Sequence, residues 1–184
     1  MKKIQEKILY KGKWLALKQT TYKSKSGETV NWESIERTNT SKTVVIIPKL
    51  VPSNRYLMIK QYRPAINNYI LGFPAGLVEG EDLENEALRE LKEETGYIGK
   101  IKTVSPELYS NAALLTDTVR VANVEIDETI KENLNPKQHL ESEEEIEVVL
   151  VNENSLKNFL LEEQAKGTAI SMGSWYVFCE GSNV

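Results

Sequence analysis

Four glutamates stand close together in one short stretch: Glu86, Glu90, Glu93 and Glu94. Glu86, Glu90 and Glu94 recur at i, i+4 and i+8, so on a helix they stack along one face with Glu93 beside them. Like charges at that spacing destabilise a helix unless something neutralises them. Arg89 can pair with Glu93, but one arginine cannot balance four carboxylates. A hard divalent cation can, because Mg²⁺ takes carboxylate, carbonyl and phosphate oxygens. The bland alternative is a solvated acidic face, the usual state of a Glu-rich helix.

The flanking residues predict how such a helix is held. Asp82 is a good N-cap, Glu84 lies in the first turn where the helix dipole favours it, and Gly96 follows the last helical residue. Ala87, Leu88 and Leu91 form an apolar stripe. A Gly/Pro-rich loop, Gly72-Phe73-Pro74-Ala75-Gly76, runs into the helix.

Glu81, then Arg89-Glu90-Leu91-Lys92-Glu93-Glu94-Thr95-Gly96-Tyr97 at the required interval, closely resembles the Nudix box, G-x5-E-x7-R-E-U-x-E-E-x-G-U. Every position from Arg89 to Tyr97 fits, and a match of that length is far more specific than a lone pair of glutamates. One departure lies upstream: the interval from Gly76 to Glu81 is one residue short. Either Asp82 replaces the first Glu, or the loop Leu77 to Gly80 carries a deletion. The second register is preferred, because it leaves Asp82 as the cap that follows that Glu in the family.

The whole chain bounds the reading. Its 184 residues are 40% hydrophobic, enough for one domain of ordinary size with a small extension. A net charge of −4 gives no global basic field for nucleic acid. No apolar run reaches membrane-spanning length and no secretory pattern opens the chain, so the expectation is a cytoplasmic protein without a membrane or nucleic-acid partner. The single cysteine, Cys179, lies in an apolar run and is expected to pack. His139 is the only histidine and stands in a polar segment, so a His-built metal site or a Ser–His–Asp triad has little to draw on.

Along the chain, Met1 to Tyr10 reads as a short amphipathic lead-in. Lys13 to Tyr22 and Glu28 to Arg37 read as strands joined at Ser24-Lys25-Ser26-Gly27. Further strands are predicted over Thr43–Pro48, Arg55–Tyr62, Tyr69–Phe73, Lys100–Pro106, Thr118–Glu125 and Val148–Val151. Asp127 to Ser142 reads as a mobile polar loop, and Glu141 to Glu147 as a solvated charge run. Asn154 or Ser155 caps a helix to about Lys166, and Thr168 to Glu180 reads as a second, apolar helix.

The N-terminal segment is similar to that of ADP-ribose (ADP-sugar) pyrophosphatases within the Nudix superfamily, through Gly12-Lys13-Trp14, Thr20-Thr21-Tyr22, Asn31-Trp32-Glu33-Ser34 and Arg37-Thr38. The resemblance implies an α/β (α+β) fold: the Nudix α/β/α sandwich with a mixed sheet, plus an N-terminal antiparallel β-hairpin. Residues 1–42 would be a dimerisation and adenine-stacking extension and 43–184 the hydrolase domain. It implies Mg²⁺-dependent hydrolysis (with Mn²⁺ as a substitute) of a nucleoside diphosphate sugar by a homodimer.

By the same resemblance Glu90 and Glu94 are metal ligands with the Ala75 carbonyl. Glu93 and Glu81 are ligands or stand just behind them, and Arg89 orients Glu93. Arg37 and Arg63 contact substrate, and Trp14 and Trp32 sandwich adenine, one from each subunit. The family's catalytic base is a Glu on the loop before the Val148–Val151 strand; Glu144 is the choice, with Glu143 and Glu145 as close rivals. Two more departures are Gly72, where the family has Glu, and Ala112-Ala113, where it often has Pro-Gly. The rivals to ADP-ribose hydrolysis are another nucleotide sugar, an oxidised nucleoside diphosphate, or a non-catalytic nucleotide-binding role. The last should lose box glutamates, and this chain keeps them.

Overall fold

The computed structural model describes residues 1–180, without the side chains of Cys179 and Glu180. The expectation for Cys179 thus lies outside the described residues. Three strands open the chain: β1 (Lys2–Lys11), β2 (Leu15–Lys23) and β3 (Thr29–Arg37). There follow β4 (Lys42–Val51), β5 (Arg55–Arg63), β6 (Asn68–Gly72), β7 (Ala75–Leu77), helix α1 (Leu83–Thr95), β8 (Lys100–Val104) and β9 (Thr118–Asp127). The chain continues through α2 (Lys131–Leu134), β10 (Ile146–Asn152), α3 (Leu156–Ala165), β11 (Ala169–Ile170) and α4 (Met172–Trp175). Contacts divide it into two units.

The first unit comprises residues 1–43, 77–81 and 105–120. Its sheet runs β1-β2-β3, antiparallel throughout. The expected hairpin is β2–β3, and the lead-in Met1 to Tyr10 forms most of β1, a third strand added to it. β1 is exposed along its whole length. The turn is closed by the Ser24 N–H on the Glu28 carbonyl, with Gly27 at φ +86°, a left-handed conformation that glycine adopts without penalty. Residues 105–120 are sewn to this sheet: Ile35 N–H donates to Leu114 O and Thr116 N–H to Ile35 O.

The second unit holds most of the larger, mixed sheet, ordered β11-β6-β5-β4-β9-β8, with β10 on β5 and β7 on β4. β10 lines one edge of β5 from Arg55 to Gln61. The other edge is shared, β4 pairing with its start and β6 with its end from Ile59 to Arg63. β4 and β6 thus part along one strand, and the Phe73-Pro74 crossing lies just beyond β6, where Ile46 N–H donates to Pro74 O.

Both faces of this sheet are buried. Met58, Ile47, Leu71, Phe73 and Val151 pack with Leu156 and Leu160 of α3. The intervening Leu57 and Ile59, with Val44, Ile46 and Leu50, are equally buried on the opposite face by strand periodicity.

Two further expectations fail. Asp127–Ser142 is not a free loop: α2 lies within it, and buried Asn133 donates to the Ile98 and Asp127 carbonyls while accepting from Ile98 N–H. Thr168–Glu180 is not one helix. Ser171 N–H donates to Leu71 O, so β11 adds in parallel to β6 before Ser171 caps α4 through Ser174 N–H. The edge of β6 offered backbone partners that an apolar pattern cannot reveal.

Candidate active site

Helix α1 is set as its ends predict. Asp82 accepts from Asn85 N–H at 3.1 Å, and Gly96 closes the C-terminus at φ +78°. Ala87 and Leu91 are fully buried. The glutamate face meets the strand before it: a Cβ on Gly76 would stand 2.1 Å from Glu90 Cδ, so only glycine lets that carboxylate lie against the backbone. One turn on, Glu94 Oε2 accepts from Ala75 N–H at 3.2 Å.

Arg89 has a larger part than pairing with Glu93. Its Nη2 lies 2.7 Å from both Glu86 Oε2 and Glu90 Oε1, and Nη1 contacts Glu93 Oε2 at 2.5 Å. Its pKa rises further, foremost through the bond to Glu86. Among the described residues no three metal-ligating side chains converge at binding distance. Arg89 instead gathers Glu86, Glu90 and Glu93, while Glu94 stands apart with the Ala75 amide.

The electrostatics single out Glu94. It is only 4% exposed, and its pKa is pushed up to about 8. Burial is the main cause, then the charge of Glu90; the Ala75 amide opposes both, and the more distant Glu144 raises it while Arg63 lowers it. Glu90 is raised as well, first by burial, against the pull of Arg89, with Glu93 and Glu144 adding to the rise. Three other predicted groups, Glu90, Glu144 and Arg63, are thereby within electrostatic reach of Glu94. They come from α1, the loop before β10, and the end of β5.

Glu144 lies in a turn where its N–H donates to Glu141 O and its carboxylate accepts from Glu141 N–H. Glu145 accepts from Tyr69 O–H at 2.7 Å. Of the three rival glutamates, Glu144 is the one whose charge acts on both Glu90 and Glu94. Glu81 is exposed.

Trp14, Trp32 and Arg37 lie in the first unit. Both tryptophans are surface residues, 60% and 48% exposed. Trp32 pairs in register with Thr20 of β2, and Trp14 lies in the bend just before that strand begins.

Trp32 Nε1 donates to Ala113 O at 2.9 Å, so the unusual Ala112-Ala113 loop is pinned by the indole. Arg37 Nε donates to Asp117 Oδ2 at 3.0 Å, and Asp117 Oδ1 is buried with no partner among the described residues. Sequence reading missed Asp117; its place at the end of the pocket loop was the available signal. At Gly72 a Cβ would meet Ser171 Cβ and Oγ at 3.3 Å, a tight contact.

Residues 40–171 match the NUDIX domain family. The chain is 35% identical to the ADP-sugar pyrophosphatase of Mus musculus over 159 residues, covering 82% of this chain and 73% of the relative. It is also 35% identical to the ADP-ribose pyrophosphatase of Saccharomyces cerevisiae over 144 residues, covering 73% and 62%. A solved ADP compounds hydrolase superposes with a TM-score of 0.67 over 91% of this chain and 96% of that one at 19% identity, a likeness of fold. The chain is a hydrolase and belongs to the Nudix family. Among the described residues no helix is long and apolar enough to cross a membrane.

Proposed function

We propose that the chain hydrolyses the pyrophosphate of a nucleoside diphosphate sugar in the cytoplasm, foremost ADP-ribose to AMP and ribose 5-phosphate, with Mg²⁺ or Mn²⁺ bound. The observation that carries this is the Glu90–Glu94 pair. Two carboxyls disfavoured as anions by burial and by each other ask for a cation, and Gly76 leaves the room in which Glu90 can lie.

Glu90, Glu94 and the Ala75 carbonyl would hold the metal, with Glu93 and Glu81 as further ligands or just behind. When bound, the metal polarises the phosphoryl group and neutralises developing charge. Glu144 takes the proton of the attacking water at its carboxylate. Arg63 holds substrate phosphate, and Arg37, oriented by Asp117, contacts substrate. Arg89 keeps Glu93 and Glu90 in place when the metal is absent. Residues 1–42 supply adenine stacking through Trp14 and Trp32 of two subunits, and 43–184 the chemistry. Two exposed rings on the N-terminal unit support a site completed by a second copy.

Gly72 and Ala112-Ala113 favour a second reading, in which the preferred sugar is not ribose. Product analysis on ADP-ribose, ADP-glucose, GDP-mannose and 8-oxo-dGDP with Mg²⁺, Mn²⁺ or EDTA distinguishes the two. The proposal expects ADP-ribose to lead the panel and EDTA to stop hydrolysis.

A further inference from the structure

The chain after α2 crosses the C-terminal end of α1. Gly96 makes this approach feasible twice over: it takes the left-handed cap, and a Cβ there would stand 2.3 Å from Lys137 N. The last carbonyls of a helix have no partner within it. Here two of them are met from this segment: His139 N–H donates to Glu93 O at 2.8 Å, and Gln138 Nε2 donates to Glu94 O at 2.7 Å. The same Gln138 nitrogen donates to Ile146 O at 3.0 Å. Its side chain lies with Thr95, Tyr97, Pro136, Val148 and Leu150 around a cavity of about 270 Å³.

One amide group therefore ties the end of the glutamate helix to the first residue of β10. Between these two ties runs the segment 139–145, which carries Glu144. We infer that Gln138 is a positioning residue: by clipping both ends of that loop, it fixes where the Glu144 carboxylate stands relative to Glu90 and Glu94. This rests on the reading of Glu144 as the base. A side chain that touches no substrate then governs the chemical step, because misplacement by about 1 Å can reduce rate about 100-fold.

The test uses the full chain with ADP-ribose and Mg²⁺. Gln138→Met keeps the length and apolar stem but removes both donors, and Gln138→Ser is the second variant should the methionine fail to pack. The expected result is a kcat lowered about 10- to 100-fold, a KM within about twofold of the wild type, and an unchanged rise in Tm on adding Mg²⁺. Hydrogen exchange of residues 139–145 should quicken while that of α1 is unchanged.

In a Glu144→Gln background, adding Gln138→Met should lower kcat little further, since the group being positioned is already gone. A wild-type kcat in Gln138→Met, or the same drop with and without Glu144, overturns the inference and leaves the base reading intact. A fully active Glu144→Gln enzyme overturns the base reading, and the inference with it.

Discussion

Glu94→Gln is the most informative single change, because its effect on stability has a sign that ordinary mutations lack. The folded state holds the Glu94 carboxyl at about 8 against an ordinary 4.5. An acid raised on folding binds more protons in the native than in the unfolded state between those values. Stability is then full below about pH 4.5 and falls as pH rises towards 8. At 1.36 kcal/mol per unit the ceiling is about 3 kcal/mol at pH 7 and about 5 by pH 9. Relaxation around a charged site reduces this, so about 1–3 kcal/mol is the working expectation.

Gln keeps the acceptor for Ala75 N–H and never ionises. In EDTA, Glu94→Gln should therefore match the wild type near pH 5 and be more stable than it by about 1–3 kcal/mol at pH 8–9. Mg²⁺ should stabilise the wild type increasingly as pH rises, since it displaces that proton, and should stabilise Glu94→Gln far less. The assay is urea unfolding at pH 5, 7 and 9 with EDTA or Mg²⁺. A Glu94→Gln variant less stable than the wild type at every pH, or equally stabilised by Mg²⁺, would refute the reasoning.

Other outcomes follow from the same geometry. Glu90→Gln should lower kcat at least ~100-fold in steady-state assays with the fold intact, because the lost charge acts on the transition state. Among Glu143→Gln, Glu144→Gln and Glu145→Gln, the second should lose about 10²–10⁴ in kcat and the others much less; three active variants would place the base elsewhere. Trp14→Ala and Trp32→Ala should each raise KM about 5- to 150-fold with little change in kcat, and mixed, re-equilibrated subunits should regain part of the high-affinity activity. A monomer by light scattering would remove the shared site. Glu163, held at about 2 by bonds from Lys166 and then Lys60, contributes stability that is full above its ordinary 4.5 and is lost as pH falls towards 2. Glu163→Gln should thus cost about 1.5–3 kcal/mol at pH 7 in urea titrations, with the gap closing by pH 3.

The box helix was legible because its signals are local. Asp82 and Gly96 depend on neighbours within a few residues, and the structure uses both caps as read. In the larger sheet β4, β5, β6, β8, β9 and β10 were legible from the sequence, whereas β7 and β11 were not. What escaped depends on partners distant in sequence. Nothing in Thr168–Glu180 tells that Ile170 will pair with Leu71, and an apolar run reads as helix until the edge of β6 is known. Asn133 and Gln138 look like loop polarity, yet both satisfy backbone carbonyls across the chain. Asp117 became visible only beside Arg37. Arg89 was seen as the partner of Glu93, but its hold on Glu86 and Glu90 requires side-chain directions that spacing alone leaves free.

The central claim is that buried, mutually repelling carboxylates on α1 bind a divalent cation that makes pyrophosphate hydrolysis run. The direct measurement is AMP release from ADP-ribose by the purified wild type and Glu94→Gln, titrated with Mg²⁺ after EDTA treatment. The account predicts no turnover in EDTA, saturable recovery with Mg²⁺ in the wild type, and at least a ~100-fold lower plateau in Glu94→Gln. Metal-independent AMP release, or an equal plateau in the variant, would contradict it.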